Sequence, residues 1–267
     1  MGRHVFAAVT LLVVTMLVAA CESKDSTLRK GPASDSAGSG NSACAGLPSA
    51  ADLKNNLKDA AIRYGDAGGL NHGKFSWAAV VNRMGVFCAA ATSTDDPAAV
   101  WPGSRGIAIA KAFTANGFSS DTVPMSTARL YTLSLPGHSL WSAANGNPLN
   151  PACLSTPDKP GTGEGQVCGG TVVFGGGVPL YKNGRRVGGL GVSGDTSCTD
   201  HEIAKRMRES AKLTPSGGSG ADDIIFIGSD PASVFAQPLC PNTWRNGQKI
   251  GDEPAGPSPV GSSSKSD

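Results

Sequence analysis

Residues 176–194 read GGVPLYKNGRRVGGLGVSG, and this stretch decides the fold. Two extended runs, 178–182 and 185–192, face each other across Asn183-Gly184. Asn and Gly are the residues that reach positive φ at both centres of a type I′ turn, so the segment predicts a β-hairpin. Working back from it, 75–82 (FSWAAVVN) predicts a strand, 83–85 a turn, and 86–91 (VFCAAA) a returning strand. Ser49 is placed to cap a helix carrying Leu53, Leu57, Ala60 or Ala61 and Tyr64 on one face, ended by Gly65. A second helix is expected over 104–116, stopped by Gly117, and a short third over 125–135. Working forward, Asp200 is expected to cap a helix over 201–212, and 224–227 (IIFI) offers a last short strand. Helices around hairpin-linked strands predict an α+β domain, an antiparallel sheet of about five strands flanked by α-helices.

The first twenty residues belong to another task. Arg3 and His4 precede an uncharged run from Val5 to Ala20, too short for a membrane-spanning helix, which needs about 20 residues, and suited to a signal peptide. The run ends Leu17-Val18-Ala19-Ala20-Cys21, which resembles a bacterial lipoprotein signal with Cys21 as the acylated new N-terminus. Two or three acyl chains anchor stably where one does not. Residues 21–45, rich in Ser, Gly, Lys and Asp, read as a flexible tether, 46–250 as the folded domain, and 251–267 as a disordered tail. The expected location is a bacterial membrane, facing the periplasm or the cell exterior.

Export gives the cysteines a meaning. Once Cys21 is set aside, Cys44, Cys88, Cys153, Cys168, Cys198 and Cys240 remain, an even number for an oxidising compartment. They are disulfide candidates with 15 connectivities open. No C-x-x-C pair occurs, so a zinc ribbon, a thioredoxin motif and covalent c-type haem are all unsupported, and no metal site is expected. The net charge of +2 gives no case for a nucleic-acid partner. Glycine (36) and proline (18) together stay below the share at which a low-complexity chain is expected.

Three motifs resemble known chemistry. Gly189-Leu190-Gly191-Val192-Ser193-Gly194 fits G-x-G-x-x-G, but it lies on a hairpin arm instead of opening a helix, so close backbone approach is the better reading. Gly137-His138-Ser139-Leu140-Trp141 nearly fits a nucleophile elbow, but Trp141 stands where only a small residue fits. Of the histidines left after signal removal, His201 beside Asp200 and Glu202 reads as solvated helix surface. His72 in a Gly/Asn loop and His138 beside Trp141 are the loop histidines that could serve as ligands.

The chain resembles the haem-degrading domain family, the GlcG/HbpS-like proteins. That family pairs an A-x-x-K-A-x-T-A helix with a later glycine-rich hairpin and an acidic helix start. The matching residues are Ala108-Ile109-Ala110-Lys111-Ala112-Phe113-Thr114-Ala115, then Gly176-Gly177-Val178-Pro179-Leu180, then Gly184 through Gly194, then Asp200. The resemblance spans about residues 50–212. This chain departs from it in Asn82, where the family often ends its first strand with Asp, and in a cysteine-containing insertion at about 138–170. The resemblance implies an antiparallel sheet with flanking helices, homo-oligomers, and haem binding or slow haem degradation.

Haem needs an apolar slot, an axial ligand and cations for its propionates. By chemistry the candidates are His138 as axial ligand, Lys111 and Arg105 for the propionates, and Phe113, Phe118 and Trp141 as apolar wall. A plain helix-surface lysine and plain core phenylalanines are the alternatives. Two other classes stand beside this reading. One is a sensory or adaptor lipoprotein that binds a partner protein, a membrane protein among the candidates, or another small ligand, without catalysis. The other is an enzyme that uses the glycine-rich hairpin as a cradle; no convincing acid–base pair supports it, and catalytic residues stay unassigned.

Overall fold

The computed structural model describes residues 43–154 and 163–254. The signal, Cys21 and the tail beyond 254 lie outside the described residues. The hairpin forms as the sequence predicts: β3 (Gly177–Lys182) and β4 (Arg185–Ser193) pair antiparallel across Asn183 (φ 52°) and Gly184 (φ 74°). β1 (Trp77–Asn82) pairs with β4 on its other edge, Val80 opposite Leu190, and β2 (Phe87–Thr92) completes the order β2-β1-β4-β3. The main sheet therefore has four strands, not about five. The segment at 224–227 contributes only Ile225–Phe226, β5, which pairs in parallel with β6 (Ala236–Gln237). A separate antiparallel pair, β7 (Thr243–Arg245) and β8 (Gln248–Gly251), takes in Gly251, which the sequence assigned to the tail.

Helices cover both faces. α1 (Ala50–Ala60) starts with the expected Ser49 cap: the Ser49 hydroxyl accepts from the Asp52 amide, and the Asp52 carboxylate accepts from the Ser49 amide. Its Leu53, Leu57 and Ala60 meet Ile203, Ala204 and Met207 of α3 (Ser197–Ser210) over one sheet face, where Ala78, Val80, Val178, Leu180, Leu190 and Val192 point. α2 (Ser104–Phe118) covers the other face. Two expectations are corrected here. Thr196, not Asp200, caps α3. Residues 125–135 form two 3-10 turns, Thr127–Leu130 and Thr132–Ser134, and not a helix.

The alternation Gly189-Leu190-Gly191-Val192 is a strand with one greasy face and one bare face. Leu190 and Val192 point to α1 and α3, and the glycines point to α2. A Cβ on Gly191 would sit 2.0 Å from the Ala108 carbonyl oxygen, and one on Gly189 would sit 2.1 Å from that of Ala112. The dinucleotide look-alike is thus a seat for a helix backbone, paired with the alanine face of α2.

The six cysteines other than Cys21 pair as Cys44–Cys88, Cys153–Cys168 and Cys198–Cys240. In the chain-entropy account, the 15-residue loop is worth about 3 kcal/mol, and the loops of 44 and 42 residues about 4 kcal/mol each. Cys44, read from sequence as tether, is pinned to β2. The excursion is stapled by Cys153–Cys168 and covers the outer edge of β2, whose Phe87 amide donates to the Gln166 carbonyl at 2.8 Å.

Candidate functional site

The motifs that mark the family resemblance meet in space. Lys111 projects from α2, fully buried, and pairs with Asp200 of α3 at 2.8 Å. Its ammonium also donates to the Val192 carbonyl at 2.9 Å and lies 5.1 Å from the Phe174 ring centroid. Gly176 makes this possible, because a Cβ there would come within 2.6 Å of Nζ. The second Asp200 oxygen accepts from the Asp195 amide at 3.0 Å. Burial lowers the Lys111 pKa against the opposing pull of Asp200. Burial likewise pushes Asp200 up to about 6, although Lys111 works to lower it. The pair is sealed from solvent and joins α2 to α3 past the start of β3. Lys111 is therefore neither a helix-surface lysine nor open to a propionate.

Arg105 is likewise engaged inside. Its guanidinium donates to the Cys153 carbonyl at 2.8 Å, lies over the rings of Phe87 and Trp77 at 5.4 and 5.9 Å, and stands 3.7 Å from Glu164. Burial pulls its pKa down, with Glu164 acting the other way. Phe113 is half-buried against the β1–β2 turn, where a Cβ on Gly85 would touch its ring at 2.7 Å. Phe118 is partly exposed at the end of α2. His138 and Trp141 are both exposed on the excursion, joined by a Trp141 amide to His138 carbonyl bond of 3.1 Å. The five site candidates Lys111, Arg105, Phe113, His138 and Trp141 do not gather around one cavity. His201 is also not where sequence placed it: it is buried, 3.3 Å from Asp223, and its Nδ1 has no hydrogen-bond partner among the described residues. Among the described residues no group of three or more His, Cys, Asp or Glu can hold a metal ion.

The loop between α1 and β1 does build an outward-facing histidine. The Asp195 carboxylate accepts from the amides of Leu70, Asn71 and Gly73 at 2.7, 2.9 and 3.0 Å. From below, Arg206 of α3 donates to the carbonyls of Ala60, Gly65 and Asp66. In this frame His72 adopts φ 55°, a conformation that few non-glycine residues take, and its Nδ1 lies 2.9 Å from both oxygens of Asp66. Burial would raise the Asp66 pKa, but bonds from the Gly68 amide and the His72 ring hold it below the usual carboxylate range. An Nδ1–H given to Asp66 leaves the Nε2 lone pair outward, and among the described residues Nε2 has no hydrogen-bond partner.

The His72 ring borders a depression of about 310 Å³ with Ala61, Ile62, Gly65, Asp66 and Lys74. Ile62, Leu70 and Phe75, on the same loop, are exposed apolar side chains. An oriented imidazole, apolar side chains and a lysine are the donor set that an axially ligated, anionic, flat ligand requires. Sequence weighed His72 only as a loop histidine. The usable signal was Asp66, six residues upstream across a glycine-rich turn.

A family model described as haem-degrading protein HbpS-like matches residues 60–209. None of the curated proteins matches the chain. Among solved structures, the Klebsiella pneumoniae protein ORFY is 20% identical, with 61% of this chain and 88% of that chain covered and a TM-score of 0.41. A PduOC:heme complex is 22% identical over 61% of this chain and 94% of that one, also at 0.41. HbpS is 21% identical over 60% and 86%, at 0.36.

Proposed function

The chain belongs to the HbpS-like family of haem-degrading proteins, and from that premise we propose that it is an exported, lipid-anchored haem-binding protein with His72 as axial ligand. The observation that carries the site is the His72–Asp66 couple, which fixes the ring and presents Nε2 to solvent. A carboxylate on the far nitrogen orients a metal-binding histidine and raises its basicity, and its loss typically costs 10–100-fold in metal affinity. Lys74 supplies a cation for a propionate, and Ala61 and Ile62 supply apolar contact. His138 lacks such an orienting partner among the described residues. Bound haem would supply the iron chemistry; this chain's own part is to hold and orient it. Degradation additionally needs a reductant or peroxide and oxygen access, and belongs to the same proposal.

Three disulfides support an oxidising compartment, in keeping with acylation at Cys21 and export. Labelled palmitate incorporated at Cys21 and lost in Cys21→Ser tests the anchor. Self-association is part of the reading as well, supported by Trp101 and Trp141, which stand more than half exposed. Hemin titration tests the function. Micromolar protein should give a Soret shift that His72→Ala abolishes and Asp66→Asn weakens roughly 10–100-fold. No Soret shift in the wild-type protein refutes haem binding. An unchanged spectrum in His72→Ala removes the ligand and leaves haem binding standing.

A further inference from the structure

Both hairpin turns of the sheet emerge at the end away from His72. Between them lies a cleft of about 550 Å³, bordered by Leu47, Arg83, Met84, Lys182, Arg185 and Arg186. Four cations border the cleft, and Asp121 faces the charged groups of two of them, Arg83 and Arg185. Asp121 holds Arg83 at 2.5 Å and accepts from the Arg186 amide at 3.0 Å. Arg185 reaches Asp121 only at 3.9 Å and is largely exposed. Lys182 has no ion-pair partner among the described residues. Met84, at the tip of the β1–β2 turn, is 78% exposed, more than any other large apolar side chain described. A folding requirement explains none of this: an unpaired lysine, a loosely held arginine and a bare methionine side by side contribute no core.

The same surface is where the chain enters the domain. Ala43 and Gly46 border the cleft, and Cys44 is bonded to Cys88 on the adjoining strand. The segment from Cys21 therefore joins the domain beside the cations. Anionic headgroups attract basic groups at short range, and an acyl group on Cys21 would tether the chain to a bilayer that carries them.

We propose that this end of the sheet, through Lys182, Arg185, Arg83 and Arg186 with Met84 at the tip, docks on the anionic headgroup surface of the bilayer that carries the anchor. The cations supply the attraction, and the Met84 thioether enters the interfacial layer. The six residues of β1 span about 20 Å from the His72 loop to this end, so docking leaves the His72 face turned away from the bilayer. The inference uses the lipid anchor proposed above but not haem, and palmitate labelling reads the anchor separately.

All three hydrophobic clusters and the three disulfides lie within residues 43–254, so the unacylated chain 22–267 keeps what holds the fold. The test is its co-sedimentation with vesicles of phosphatidylcholine alone or mixed with phosphatidylglycerol. Binding is expected only to the mixed vesicles and should be released by 0.5 M salt, on the order of a 4 Å screening length. Each cation near such a surface is worth roughly fivefold, so Lys182→Gln/Arg185→Gln should bind about 25-fold more weakly. Lys58→Gln/Lys249→Gln removes the same charge elsewhere and should change nothing. Equal binding to both vesicle types, no binding to either, or equal loss in the two double variants overturns the proposal.

Discussion

Gly191→Ala puts the helix seat to a direct test. Adding one methyl to a strand glycine ordinarily stabilises, by about 0.5–1 kcal/mol, because the unfolded chain loses freedom. Here the new Cβ would lie 2.0 Å from the Ala108 carbonyl, 2.6 Å from the Ala112 amide and 2.9 Å from the Lys111 Cβ. Ordinary contact needs more than 3 Å, so α2 must retreat by about 1 Å. Such a gap forfeits a quarter to a half of the dispersion energy across the interface that buries Ala108, Ile109 and Ala112. It also stretches the bonds of Lys111 to Asp200 and Val192, now 2.8 and 2.9 Å, beyond hydrogen-bond range.

Overpacking typically costs 1–3 kcal/mol, and loosening a buried ion pair adds to it, so the variant should lose about 3–5 kcal/mol. Guanidinium unfolding with disulfides intact, followed by tryptophan fluorescence, reads this as a midpoint far below wild type. Gly117→Ala is the matched control: nothing lies within 4 Å of its added Cβ, and its midpoint should rise slightly. A Gly191→Ala midpoint at or above wild type would refute the close-packing account.

The Lys111–Asp200 pair predicts an asymmetry. Lys111→Met alone should cost about 3–5 kcal/mol by stranding Asp200, whereas Lys111→Met/Asp200→Leu should recover most of it in the same unfolding assay. Acid should act through Asp223: burial raises its pKa, but His201, Lys205 and Arg245 more than offset this and hold it below its ordinary 3.8. A depressed folded value means stability that is complete above the unfolded value and lost as pH falls through the folded one. Unfolding midpoints from pH 5 to pH 2 should therefore fall more steeply for wild type than for Asp223→Asn.

The sequence made the frame legible wherever local rules agree. Asn183-Gly184 marks a turn by conformational necessity, and Ser49 with Asp52 marks a helix start by hydrogen-bond chemistry. The third helix failed because 125–135 packs through side-chain bonds to distant backbone: Ser126 to the Asp222 carbonyl and Thr132 to that of Ala236. No local pattern announces such partners. The site was harder still. Lys111 and Arg105 read as exposed cations because one strand of text does not show that Asp200, 89 residues away, or Phe87 and Trp77 enclose them. His138 was preferred to His72 because the meaning of His72 depends on Asp66 and on a loop whose shape Asp195 sets from 122 or more residues away.

The family match ends at residue 209, yet the domain does not. α3 buries Asp200, His201, Glu202, Lys205, Arg206 and Arg208, a set that on its own reads as a solvated helix. Several of their partners come from beyond the match: Asp222 holds Arg208, Asp223 holds His201 and Lys205, the Asn246 amide bonds Glu202, and Cys240 closes on Cys198. A buried charge without its partner costs several kcal/mol, so these residues could not be retained on α3 without the segment that answers them. The C-terminal extension is therefore part of the folding unit and not an appendage. The same extension also braces the His72 loop, where the Gly69 amide donates to the Asn242 carbonyl at 2.8 Å and the Asn242 side-chain amide donates to the Gly69 carbonyl at 3.0 Å, so its loss should loosen α3 and the His72 loop together.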